Sequence, residues 1–218
     1  MERKTAYKCL LFDLDGTLTY SHRGIHNSIR YALQKMGRGE PTEEQLQKAI
    51  GPTLIESFTG LFGMTEEEAI KATAFYRERY SEKGMFENEP IPGAKALLAD
   101  CYAAGYRLGL ATLKPKIYAN PVAEAFGFMH FFEVPAVSGL DGESTKTSVI
   151  EEIMRKMGVQ PDECLMVGDR DQDVFGARGA GVKTAALRVG YAAEGELENA
   201  SPEYIFDGFD QLRAFLLD

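Results

Sequence analysis

Cys9-Leu10-Leu11-Phe12-Asp13-Leu14-Asp15-Gly16-Thr17 is the stretch from which the fold can be read. Its unbroken apolar start is that of a strand covered on both faces, as in a parallel sheet, and the run stops at two acids and a turn glycine. Residues i and i+2 of an extended chain lie on the same side, so Asp13 and Asp15 bring two carboxylates together. Like charges so placed call for a hard cation or a shared proton. A plain Asp-Gly turn between strand and helix would give the same letters, so the rest of the chain must decide.

Outward from this stretch, strand-like runs return at 106–111, 131–137, 164–167 and 183–189, the first strand being 8–12. Between them, 93–104, 115–126, 146–157 and 171–180 have helical periodicity, and each is followed by a glycine or Gly-Val. Strand and helix in alternation predict an α/β fold, a doubly wound parallel sheet of Rossmann-like type. From Leu18 to Pro90 no strand is legible. A helix over 25–36 ends at Gly37, and Thr42 with Gln45 and Thr65 with Glu68 have capping-box spacing. Pro90-Ile91-Pro92-Gly93 closes the segment. The expected organisation is a core of residues 1–17 and 91–218 with an inserted all-helical cap domain, 18–90, lying as a lid over the strand ends.

The 218 residues carry 24 Lys and Arg against 33 Asp and Glu, a formal charge of −9, with the basic residues scattered. No nucleic-acid partner is expected. An acidic protein that handles phosphate must gather positive charge locally, from a few side chains, backbone N–H groups or a cation. No apolar run approaches the roughly 20 residues of a membrane span, and residues 1–7 lack the apolar region of a secretory signal. A cytoplasmic location is expected. Cys9, Cys101 and Cys164, odd in number and widely spaced, are expected to be buried free thiols. With His22, His26 and His130 they show no zinc-ligand spacing.

Three further stretches accompany the acid pair: Ala111-Thr112-Leu113-Lys114-Pro115, Ser144-Thr145-Lys146 after the Asp141-Gly142 turn, and Gly168-Asp169-Arg170-Asp171-Gln172-Asp173. All lie at carboxyl ends of predicted strands or at the helix starts just beyond, where open α/β sheets bind ligands. In this order the four motifs resemble the signatures of the haloacid dehalogenase superfamily. The resemblance covers essentially the whole chain, and the helical insertion is similar to that family's type 1 cap. Asp15-Gly16-Thr17-Leu18-Thr19, Gly24-Ile25 and Leu140-Asp141-Gly142 further resemble the phosphoglycolate-phosphatase-like group.

The resemblance implies a Mg2+-dependent phosphatase that hydrolyses a small phosphate monoester, phosphoglycolate-like, nucleotide or sugar phosphate, through an aspartyl-phosphate. In phosphoryl transfer a protein mainly positions groups and neutralises charge, so nucleophile, cation and donors must converge. Asp13 would be the nucleophile, and Asp15 would protonate the leaving oxygen and then take the proton of the hydrolytic water. Thr112 would donate a hydroxyl hydrogen bond, with backbone donors at Leu14, Asp15 and Leu113, while Lys146 offsets the charge of aspartate and phosphate together. Asp13, Asp169 and the backbone carbonyl of Asp15 would face the metal. Asp173, four residues beyond Asp169, would orient a metal-bound water or the lysine.

Other residues carry simpler readings. Lys114 ranks second to Lys146 as the phosphate lysine, Asp171 stands where a helix N-cap would, and Gly176, Gly179 and Gly181 mark a helix end rather than a nucleotide loop. Leu113 and Tyr20 depart from the family pattern, where a small polar residue and an acid are common; an altered substrate preference is expected. A beta-phosphoglucomutase-like phosphomutase and a pyrophosphatase are the enzymatic alternatives, and a phosphate-binding domain without turnover is a third class. Dehalogenation is disfavoured because the superfamily's dehalogenases lack the second aspartate, here Asp15. A small phosphorylated metabolite is the expected partner, and a monomer the expected state, with a homodimer as the alternative.

Overall fold

The computed structural model describes residues 3–140 and 144–217, so the Asp141-Gly142 turn lies outside the described residues. The chain divides into two compact units, residues 1–19 with 90–218, and residues 20–89.

The first unit is built on a six-stranded sheet of β1 (Cys9–Phe12), β4 (Arg107–Leu110), β5 (Phe132–Val134), β6 (Cys164–Gly168), β7 (Lys183–Leu187) and β8 (Tyr204–Phe206). The order is β5-β4-β1-β6-β7-β8, and every neighbouring pair is parallel. Crossovers run through α5 (Ala94–Ala103), α6 (Lys116–Ala125), α7 (Lys146–Met157) and α8 (Asp171–Gly179). From β1 the chain moves outward to β4 and β5, then returns to place β6 on the other side of β1. The strand order therefore reverses at β1, and the crevice beyond its carboxyl end is where such sheets bind ligands.

Burial follows the sequence pattern. β1 and β6 are buried at every position. On one face Leu11 and Met166 pack with Val149, Ile150 and Ile153 of α7 and with Ala177 of α8. α7 starts with Thr145 accepting from the Ser148 amide and stops at Gly158 in left-handed backbone. Cys9, Cys101 and Cys164 are buried free thiols.

The second unit holds α1 (His22–Lys35), α2 (Glu43–Lys48), α3 (Leu54–Gly60) and α4 (Glu66–Glu82), with α1 packed on α4. Thr42, Thr53 and Thr65 each close a capping box, with Gln45, Glu56 and Glu68. No helix among the described residues is long and apolar enough to cross a membrane.

Several expectations need correction. The stretch from Leu18 to Pro90 contains two-residue strands, β2 (Thr19–Tyr20) and β3 (Glu89–Pro90), which pair with each other. The third β-strand of the core spans only Phe132–Val134, because Pro135 follows and has no N–H for the ladder. β8, α9 (Glu196–Ala200) and the C-terminal α10 (Phe209–Leu217) extend the core beyond the last strand read from sequence.

Gly24 gives a test of helix packing in the second unit. An exposed helical Gly→Ala change gains about 1 kcal/mol. At Gly24, however, a Cβ would collide with the Gly84 carbonyl. Gly24→Ala should lower stability by about 1–3 kcal/mol in urea unfolding. Gly60→Ala, whose Cβ would meet nothing within 4 Å, should be neutral or stabilising.

Candidate active site

Three strand ends and one helix start converge at the reversal point. Beyond β1 the backbone turns sharply: the Leu14 carbonyl accepts from the Leu18 amide at 2.8 Å and the Thr19 amide at 3.0 Å, and Gly16 sits at φ +86°. Only a glycine takes that backbone without strain. Asp13, on the strand side of the turn, is nine-tenths buried, and its amide donates to the Val167 carbonyl at 3.0 Å. β4 ends beside it, with the Ala111 amide donating to the Phe12 carbonyl at 2.7 Å. β6 leads into Asp169 and α8, and Lys146 opens α7.

Lys146 ties these ends together. Its ammonium lies 2.9 Å from Asp13 Oδ1, 3.0 Å from the Ala111 carbonyl oxygen and 2.8 Å from Asp173 Oδ1. The ammonium donates hydrogen bonds to the first two and pairs by charge with the third. Asp173 Oδ2 accepts from the amides of Asp169 and Arg170, both at 3.1 Å. Asp169 accepts from Thr17 Oγ1 at 2.9 Å and from the Tyr191 amide at 2.7 Å. Asp173 thus meets the lysine, and Asp171, expected as an N-cap, is the first residue of α8; Arg170 is the cap position, and Asp173 accepts from its amide.

Asp13, Asp169 and Asp173 each offer a carboxylate oxygen, all within 4.8 Å of one another. Three acids face one lysine, which leaves an excess of two negative charges when all are ionised. Burial first, then the charges of Asp173 and Asp13, drive the Asp169 carboxyl well above the ordinary range. Burial raises Asp13 to about 6, against the opposing pull of Lys146. Burial pulls Lys146 down, but Asp13 and Asp173 outweigh it and hold the ammonium above the usual lysine range. An all-oxygen donor set with surplus negative charge fits a hard divalent cation.

The acids reach this geometry because backbone gives way to them. A Cβ on Gly16 or Gly190 would collide with the Asp169 carboxylate, and one on Gly168 with that of Asp173.

Asp15 stands apart from this cluster. Its carboxylate oxygens lie 2.8 and 3.0 Å from Lys114 Nζ. Thr112 is buried; its Oγ1 accepts from the Lys114 amide at 3.2 Å, and its carbonyl from Ser138 Oγ at 2.6 Å. The Leu14 side chain is fully buried. The Leu113 side chain, a departure from the family pattern, packs against the hydrophobic cluster that includes Val149 and Ile153, which explains why a large apolar residue is tolerated there.

Sequence reading assigned nothing to Tyr191 or Gly190 and ranked Lys114 second. Tyr191 contributes an amide, which every residue but proline has, so its residue type carried no signal. Gly190, three residues beyond β7, could have flagged a close approach of backbone to an acid.

Comparison with known proteins places these observations in a family. The profile described as Haloacid dehalogenase-like hydrolase matches residues 10–187. A 5'-nucleotidase of Pseudomonas aeruginosa is 36% identical over 211 residues, 96% of each chain. A phosphoglycolate phosphatase of Haemophilus influenzae is 30% identical over 97% of this chain and 99% of its own. The solved structure of Mycobacterium tuberculosis Protein Tyrosine Kinase A superposes with a TM-score of 0.83 at 34% identity, covering 95% of this chain and 97% of that one.

The charge excess has a measurable consequence. Burial raises the Asp13 carboxyl from its ordinary 3.8 to about 6 in the folded state. Between these values the folded state binds more protons than the unfolded one, so stability falls as pH rises through the window. In EDTA, the wild-type unfolding midpoint minus that of Asp13→Asn should decrease from about pH 4 to about pH 6, then level off. A difference that increases over that range would overturn the assignment.

Proposed function

The chain belongs to the haloacid dehalogenase-like hydrolase family, and from that membership we propose that it is a magnesium-dependent phosphatase of small phosphate monoesters, working through an aspartyl-phosphate on Asp13. The observation that carries this reading is the separation of two neighbouring acids. Asp13 is held by Lys146 within the acidic cluster, while Asp15, two residues on, is held outside it by Lys114. This separation supports reading one carboxylate as the nucleophile and the other as the proton carrier.

In this mechanism an Asp13 oxygen attacks phosphorus and the phosphorus–ester oxygen bond breaks. The electron pair leaves on the ester oxygen, which takes a proton from Asp15. Water then attacks phosphorus, Asp15 accepts its proton, and the Asp13 carboxylate departs. Lys146 keeps a fixed positive charge beside the nucleophile throughout. Thr112 Oγ1, which accepts from the Lys114 amide, keeps its own proton for a phosphoryl oxygen, and the amides of Leu14, Asp15 and Leu113 are the backbone donors. Asp13, Asp169 and the backbone carbonyl of Asp15 would hold magnesium, with Asp173 fixing Lys146; the ion supplies positive charge to the phosphoryl oxygens.

The core residues named here all serve the phosphoryl group, so this reading assigns substrate choice to the helical segment 18–90. Transfer to a sugar hydroxyl instead of water, as in a phosphomutase, would share the Asp13 step and differ only in the acceptor of the second step.

The test is phosphate release from p-nitrophenyl phosphate, phosphoglycolate, nucleoside monophosphates, sugar phosphates and pyrophosphate, with and without magnesium. Release should require magnesium, fall to background in Asp13→Asn, and drop roughly 10²–10⁴-fold in Asp15→Asn. Unchanged release in Asp13→Asn would refute the covalent route. Hexose phosphate interconversion without net release would favour the mutase. Because protons compete with a cation for the same carboxylates, magnesium should raise the unfolding midpoint more at pH 7.5 than at pH 5.

A further inference from the structure

The geometry points to Lys114 as the residue that positions Asp15 for proton transfer, an inference that rests on the phosphatase reading above. Lys114 lies in the loop between β4 and α6, with Pro115 next in the chain setting the N-terminus of that helix. Its side chain is only 5% exposed. A buried ammonium is costly without a counter-ion, and Lys114 Nζ finds one in Asp15, 2.8 and 3.0 Å from the two carboxylate oxygens. The contact joins the turn after β1 to the loop after β4, ninety-nine residues apart in sequence.

The same loop is anchored at its root. The Lys114 amide donates to Thr112 Oγ1 and the Thr112 carbonyl accepts from Ser138, so the backbone that carries Lys114 is fixed by the hydroxyl read as a phosphate donor. Asp15 itself follows a buried leucine, precedes a glycine at φ +86°, and has a side chain 18% exposed. A proton carrier must sit within hydrogen-bond reach of the reacting oxygen, and small misplacements are costly in rate. Contact with both carboxylate oxygens defines where the carboxyl group stands. The two lysines therefore divide the work between two acids that sequence places side by side: Lys146 fixes the nucleophile, and Lys114 fixes the acid and base.

Acting through Asp15, Lys114 should matter only while Asp15 is functional. The experiment is a double-mutant cycle of Lys114→Met and Asp15→Asn, read as kcat/KM on p-nitrophenyl phosphate and on an alkyl phosphate monoester with magnesium present. kcat/KM reports events up to departure of the leaving group; p-nitrophenolate leaves without a proton, and an alkoxide does not. Lys114→Met should lower kcat/KM on the alkyl ester at least about tenfold more than on the aryl ester. In the Asp15→Asn background it should add less than about twofold, and Lys114→Arg should restore most of the loss. Equal losses on both esters, or the same loss with Asp15 already replaced, would overturn the inference and leave Lys114 a structural residue. If Lys114→Met does not fold, Lys114→Gln is carried through the same cycle under the same criteria. Full activity of Asp13→Asn would remove the phosphatase reading and this inference with it, whereas a normal Asp13→Asn result with a uniform Lys114 effect removes this inference alone.

Discussion

Repulsion among Asp13, Asp169 and Asp173 is the constraint around which the core unit is built. Two unit charges about 4 Å apart interact by roughly 4 kcal/mol at an effective dielectric constant of 20, and these three acids approach that separation in a buried setting. Folding cannot proceed with such a cluster unless donors meet it. Lys146 bridges Asp13 and Asp173, two amides serve Asp173, and Thr17 with the Tyr191 amide serve Asp169. The remaining charge is carried as raised carboxyl pKa values, with burial as the leading cause. A site left charged in this way binds a cation or a proton, and both are what phosphoryl transfer uses.

The sheet makes this concentration possible by topology. Asp13, Thr112 and Asp169 are separated by long stretches of chain, yet each follows a strand, and β1, β4 and β6 are immediate neighbours with matched register. Phe12 pairs with Leu110 and with Val167, so the three strands end level with one another. α7 and α8 then present their first turns to the same edge, and they pack on each other. Gly176 belongs to that packing, since a Cβ there would collide with the Lys146 side chain. Helix contact and lysine position are thus one feature.

Sequence reading reached the parallel sheet because its strands are short apolar runs punctuated by glycine, and it reached the acids and Lys146 because charged residues at strand ends stand out against such runs. It fell short where the signal was weak or local. Tyr204–Phe206 is a three-residue edge strand, partly buried at every position, and gives no alternation to detect. α3 begins with Thr53 and Glu56, a capping box with the same spacing as the two that were read, but it follows Gly51-Pro52, which reads equally well as a turn. The contacts of Tyr191 with Asp169 and of Lys114 with Asp15 depend on which loops meet in space, and a single chain without structure does not encode that in residue type.

Lys114 and Lys146 look alike in one dimension and differ in three. Both precede or begin a helix beyond a core strand, and both end within 3 Å of an acid of the first motif. Their surroundings differ. Lys146 donates to Asp13 and to a backbone carbonyl and pairs with Asp173, so moving it would break the junction of β4, α7 and α8 with β1. The Lys114 contact to Asp15 lies at the more exposed margin, where Asp15 keeps part of its surface in solvent. In the proposed mechanism a fixed charge belongs with the nucleophile, whose position must not change between half-reactions. On the same proposal, an acid that protonates one oxygen and deprotonates another needs a partner that defines its place and still allows exchange, and an ion pair at the edge of the core meets both requirements.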